Sequence, residues 1–217
     1  MSETDSFIEE VTEEVRRDRL FAFFRKYGWV PLLLVVLIVG GAAYQEWSKQ
    51  KQAAASQAFG DELLAAQSIN DPAAQVKALE AIKANGGRTA IVKFIEASAA
   101  VKAGDTKAAL AALDAVAADA SLPQRYRDLA ALKRVIVAGT AMPVEARTTA
   151  LTALAAAGQP YRPLAMEQLA LISVEKGDTA GAIKQFKAIL QEPQLTAGLR
   201  KRATQMIVAL GGDPAAS

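Results

Sequence analysis

The chain has 217 residues, 25 basic against 23 acidic side chains, a net charge of +2 at neutral pH, and neither cysteine nor histidine. Without cysteine there is no disulfide framework, thiol nucleophile or thiolate metal site, and without histidine there is no imidazole ligand and no general base of the usual neutral-pH kind. The near-balanced charge argues against a nucleic-acid partner and no G-x-x-x-x-G-K-[ST] or G-x-G-x-x-G loop occurs, so no enzyme, cofactor or small-molecule substrate is expected.

Residues 1–26 read as a cytoplasmic tail. Phe7, Ile8, Val11 and Val15 recur at helical spacing, Leu20, Phe21, Phe23 and Phe24 prolong the apolar pattern, and Asp5 or Ser6 is placed to cap a helix. Two readings stay open: an amphipathic helix that lies on the membrane or binds a partner, and a tail that only supplies charges for topology.

Residues 27–44, YGWVPLLLVVLIVGGAAY, carry no charge. A helix of that length spans about 27 Å, close to the hydrocarbon thickness of a bilayer. Trp29 stands near one end and Tyr44 and Trp47 near the other, where amphipathic rings favour headgroups, and Pro31 falls in the first turn. A single transmembrane helix is predicted. Arg16, Arg17, Arg19, Arg25 and Lys26 precede it, against Lys49 and Lys51 after it. The positive-inside rule therefore keeps the N-terminus in the cytoplasm and places the rest in the periplasm, and Glu9, Glu10, Glu13 and Glu14 do not overturn this. Gly41-Ala42-Ala43 offers a small-residue cleavage pattern, but the long charged leader and long apolar run favour an uncleaved anchor over a signal peptide.

Residues 45–70 are expected to continue as a helical stalk, with Ala54, Ala58, Phe59 and Leu63 along one side. Residues 71–217, rich in alanine and leucine, form the remaining domain and should be all-α. Asp71 and Pro72 mark a helix start as N-cap and first residue, and Asn85-Gly86-Gly87 marks its end. The carboxylates of Glu80, Glu96 and Glu167 read as solvated helix faces rather than an acid–base pair.

The domain repeats. Val101-Lys102-Ala103-Gly104-Asp105-Thr106 is nearly duplicated by Val174-Glu175-Lys176-Gly177-Asp178-Thr179. Each glycine is followed at five residues by alanine, Ala109 or Ala182, and four further on by a large residue, Leu113 or Phe186. Val137-Ala138-Gly139-Thr140 lies between the copies, with Met142-Pro143 displacing the helix that follows. Spacing near 34 residues with a helix–turn–helix unit is the tetratricopeptide period, so a tetratricopeptide-like solenoid of helical hairpins is predicted. The segment from Thr196 to Leu210 would cap it, with Arg200, Lys201 and Arg202 on its polar outer face.

The juxtamembrane segments FIEEVTEEVRRDRL, RKYGW and AAYQEWSKQKQAAASQAF, with the closing EKGDTAGAIKQFKAILQEPQLTAGLRKRATQMI, resemble the YfgM-type ancillary subunits of the bacterial Sec translocon in their alphaproteobacterial form. That resemblance implies a single-pass inner-membrane protein whose periplasmic domain sits beside SecYEG with the anchored chaperone PpiD and assists emerging substrates. The tail is longer and more charged than in enterobacterial members. An anchored scaffold for another envelope complex, in cytochrome maturation or respiration, is the alternative.

In such a solenoid the first helices of successive hairpins line a surface suited to a peptide. Alignment on the turn glycines places Phe94, Ser98 and Val101 there from the first hairpin, Tyr126, Leu129 and Lys133 from the second, and Leu164, Glu167 and Leu171 from the third. Phe94 and Tyr126 are the expected aromatic anchors; Phe94 as core between helices is the competing reading.

Overall fold

The computed structural model describes residues 25–26, 29–193 and 195–215. Its described elements are nine α-helices and one 3₁₀ turn, without a strand: α1 (Trp29–Gln67), α2 (Pro72–Ala81), α3 (Gly87–Lys102), α4 (Thr106–Ala118), α5 (Gln124–Ala138), the 3₁₀ turn Gly139–Ala141, α6 (Val144–Leu154), α7 (Arg162–Glu175), α8 (Thr179–Leu190) and α9 (Ala197–Ala209). The chain divides into two compact units, residues 1–59 and 60–217.

In the first unit, α1 carries a run of exposed large apolar side chains from Leu33 to Val39. Beyond them Tyr44 and Trp47 have ring centroids 6.2 Å apart, and the Lys51 ammonium lies 3.8 Å from the Trp47 ring centroid. Among the described residues no helix is long and apolar enough to cross a membrane. The span expected at 27–44 is thus unsupported there; residues 27 and 28 and the side chains of 31 and 32 lie outside the description. The amphipathic pattern of the tail, from Asp5 to Phe24, also lies outside the described residues.

The second unit begins with the end of α1. The helical stalk expected over residues 45–70 stops at Gln67, whose carbonyl accepts from the Gln75 side chain at 3.1 Å. Asp71 caps α2 as predicted, accepting the Ala74 N–H at 2.9 Å with Pro72 as first residue. Its end departs from the sequence reading: α2 stops at Ala81, where Ile82 turns extended, and Asn85-Gly86-Gly87 leads into α3 instead. Gly86, at φ +56°, makes the reversal, and the Thr89 hydroxyl donates to the Ala84 carbonyl at 2.8 Å, holding the loop to the first turn of α3.

Three hairpins follow, α3–α4, α5–α6 and α7–α8, with α9 packed on α8. The duplicated Gly-Asp-Thr turns have one geometry. Gly104 donates to Val101 and Asp105 to Ala100, and likewise Gly177 to Val174 and Asp178 to Ser173; this is the paired bonding of a Schellman helix end, with the glycines at φ +76° and +77°. Each aspartate then caps the next helix, Asp105 on Ala108 N–H at 2.8 Å and Asp178 on Gly181 N–H at 2.9 Å. The middle turn differs as expected, with the 3₁₀ turn and Pro143 preceding α6.

The alanine and large-residue pattern after each turn is core. Ala109, Ala182, Leu113 and Phe186 are all fully buried. Alanine lets the second helix approach the first, and Leu113 or Phe186 fills the space between them. Leu113 packs with Ala97, Ala100 and Ala112; Phe186 packs with Ile189, Leu199, Ala203 and Ile207, which fastens α9 to the last hairpin.

Candidate protein-binding face

Four positions recur on the first helix of each hairpin, thirteen, ten, six and three residues before its turn glycine. They are Ile91, Phe94, Ser98 and Val101 on α3; Tyr126, Leu129, Lys133 and Ile136 on α5; and Leu164, Glu167, Leu171 and Val174 on α7. Counted back from Gly211, α9 supplies Gly198, Lys201, Gln205 and Val208. At 100° per residue these positions fall within one stripe of the helix surface.

From α2 to the last described residue, the exposed large apolar side chains are Ile91, Val101, Ile136, Leu164, Leu171 and Val208. All six occupy stripe positions, and the second helices α4, α6 and α8 contribute none. Their exposures run from 36% at Leu164 to 58% at Val208, so water covers much of each side chain. Their concentration in one register makes this stripe the candidate for a protein-contact surface.

The other residues expected in the groove divide by depth. Ser98 and Lys133 are exposed, while Phe94, Tyr126 and Leu129 are half-buried. Phe94 packs against both the Ala97–Leu113 cluster and the one built from Ala90, Val116, Leu122 and Ala130. Tyr126 packs on the latter cluster, and its ring lies so near Gly87 that a methyl group there would come within 3.4 Å. Both rings thus brace the packing of α3 against α4 and α5 as well as edging the stripe. Glu167 is buried and accepts two hydrogen bonds from Arg202 of α9, at 2.6 and 2.8 Å. It and Glu96, buried against the Lys93 ammonium at 2.7 Å, are not the solvated faces that the sequence suggested.

Ile91, Ile136 and Val208 were not picked out by the sequence reading. The register contained them: extending the outer two stripe positions to every first helix finds all three.

Electrostatics at the edge of the stripe centres on Arg147 of α6, which is buried. It donates to both oxygens of Glu175 at 2.8 and 2.7 Å, and its Nε donates to the Met142 carbonyl at 3.1 Å. That hydrogen bonding holds the Glu175 carboxyl below its ordinary range. In the same way the Glu167 partnership raises the Arg202 pKa. Beside the first of these pairs, Val135, Ile136, Leu151, Leu171 and Ile172, together with Arg147 and Glu175, line a small cleft of about 80 Å³. A larger cleft of about 310 Å³ opens between α6, α7 and α8, lined by Met166, Leu169, Ile172 and Ala188 with Thr148, Ser173, Lys176 and Gln185. Among the described residues no group of three or more carboxylates converges as metal ligands would.

What the arrangement offers is a row of apolar side chains held in register by a packed helical array. Neither the curated proteins nor the solved structures compared with the chain gave a match. A family model described as a tetratricopeptide repeat-like domain matches residues 22–206. The chain therefore belongs to the tetratricopeptide repeat-like domain family, whose role is protein–protein interaction.

Proposed function

We propose that this protein is a membrane-anchored adaptor of the bacterial inner membrane, with its repeat domain in the periplasm beside the Sec translocon. There it works with SecYEG and a PpiD-type chaperone and assists secretory and membrane proteins as they emerge. The observation that carries the adaptor reading is the apolar stripe on α3, α5, α7 and α9, a face with the hydrophobic side chains that a peptide or partner segment requires.

The anchor is supported by the uncharged residues 27–44 with basic residues clustered before them. Seven consecutive large apolar residues of α1, Leu33 to Val39, are exposed, and seven positions of a helix face every direction. Among the described residues of the first unit nothing buries them; lipid would. The translocon itself is drawn from the resemblance of the juxtamembrane and closing segments to YfgM-type subunits.

The test is site-specific photo-crosslinking in native membranes, with the probe at Ile136 and, separately, at Leu171. Crosslinks to SecYEG, to a PpiD-type chaperone or to nascent secretory chains are expected. Reproducible crosslinks to a single respiratory or cytochrome-maturation complex would reassign the protein as an assembly scaffold. A probe at the exposed Thr149 of α6 serves as the control and should give none of these products.

A further inference from the structure

The charges around the apolar stripe are not balanced. Its sixteen positions hold Lys133, Glu167 and Lys201, and the positions that border it, two and fourteen residues before each turn glycine, add Lys102, Arg125 and Glu175. Both acids are neutralised within the chain, Glu167 by Arg202 and Glu175 by Arg147, each through two hydrogen bonds. The four cations are exposed, and among the described residues none forms an ion pair with a carboxylate. Arg125 instead lies 4.8 Å from the Tyr126 ring centroid, where it stays available at the stripe edge. The face is thus apolar along its centre and positive in its unmatched charge, although the whole chain is close to neutral.

We infer that the occupant of this face is a segment of a partner protein in which apolar side chains alternate with aspartates and glutamates. This rests on the stripe being a protein-binding face and adds the chemistry of what binds there. Apolar side chains of the occupant cover Ile136, Leu164 and Leu171, and its carboxylates meet Lys102, Arg125, Lys133 and Lys201. Charge complementarity of this kind chiefly selects the partner and speeds its encounter, while the apolar contacts hold it. A basic segment would meet four uncompensated cations and be rejected, because the acids that could receive it are already bonded.

The experiment uses the full chain in detergent and two fluorescein-labelled peptides with the same leucine pattern, one carrying glutamate and the other lysine at every polar position. Fluorescence anisotropy should show the glutamate peptide binding more tightly, with the difference shrinking as salt is raised. Lys133→Glu combined with Lys201→Glu, confirmed as folded by circular dichroism, should weaken the glutamate peptide about fivefold and strengthen the lysine peptide. Equal binding of the two peptides, lost in an Ile136→Ser, Leu171→Ser variant, would overturn the acidic preference and leave the protein-binding face standing. Absence of binding by either peptide would remove both. A dimer that dissociates in the Lys133→Glu, Lys201→Glu variant would give the face to a second copy. Displacement of the glutamate peptide by short-chain phosphatidylglycerol, but not phosphatidylcholine, would assign the cations to a lipid headgroup; either result overturns the inference.

Discussion

Arg147 and Glu175, 28 residues apart, meet through two parallel hydrogen bonds that join the second hairpin to the third. The arginine is buried, whereas the carboxylate reaches water. Because Arg147 holds the Glu175 carboxyl below its ordinary value of 4.5, the folded chain binds that proton less readily than the unfolded chain does. The pair therefore contributes stability above the unfolded pKa, and the contribution disappears as pH falls through the lower folded value. Thermal unfolding followed by circular dichroism should find Glu175→Gln less stable than the native chain at pH 7, with the two converging as the medium is acidified below pH 4.5. A constant difference across that range would show that Glu175 matters for packing rather than charge.

The Glu167–Arg202 pair makes a different prediction, since here the carboxylate is the buried member. Arg202→Met strands Glu167 and should cost about 2 kcal/mol, less than a fully enclosed pair because Arg202 stays half in water. Adding Glu167→Met to it should recover most of the loss. Denaturant titration of the two single variants and the double variant measures the coupling; strict additivity would mean that the bond contributes nothing.

Stripe and core residues should separate cleanly by variant. Ile136→Ser with Leu171→Ser should change stability by less than about 1 kcal/mol, since both side chains already face water, while reducing partner capture. Phe186→Ala should cost about 3–5 kcal/mol and loosen α9. Phe94→Ala falls between, at about 2 kcal/mol, because its half-buried ring packs against two clusters. Pull-down yield set against denaturation midpoint distinguishes these classes.

The turn glycines give another test. Gly104→Ala and Gly177→Ala each force an alanine into left-handed backbone and should cost about 1–2 kcal/mol. Gly198→Ala has the opposite sign: the position is helical, with only the Arg202 side chain at 3.8 Å, and should gain about 0.5 kcal/mol. Denaturation midpoints of the three variants report the signs directly.

Topology is tested through the basic residues before the uncharged run. With Arg16, Arg17, Arg19, Arg25 and Lys26 all neutralised, the repeat domain should lose its periplasmic exposure in part or whole. Protease accessibility in spheroplasts reads this, and an unchanged digestion pattern would refute the charge-based orientation.

What the sequence made legible was whatever a local rule controls. Asp71 with Pro72, and the two Gly-Asp-Thr turns, each bond within a few residues, so spacing alone located them. The stripe register followed from the same turns. The end of α2 was misplaced because Asn85-Gly86-Gly87 is a strong stop signal, yet the backbone leaves the helix at Ile82 and uses the glycines to enter α3. Glu167 was read as an exposed carboxylate because its partner lies 35 residues further along. No window on either segment contains both members of such a pair. Phe94 and Tyr126 were legible as important rings, but their share in packing depends on how α3, α4 and α5 converge.

The duplicated turns bear on how such a chain grows. At Gly104–Asp105 and again at Gly177–Asp178, one dipeptide closes the carbonyls of the helix behind it and the amide of the helix ahead. The junction asks nothing of any neighbouring hairpin. A hairpin copied with such a dipeptide arrives with its own turn already finished and has only to match an apolar flank to the array it joins. Lengthening the array is then a problem of surface fit alone, which is why two segments so far apart can keep the valine, glycine, aspartate and threonine of the turn in one register while the helices around them differ.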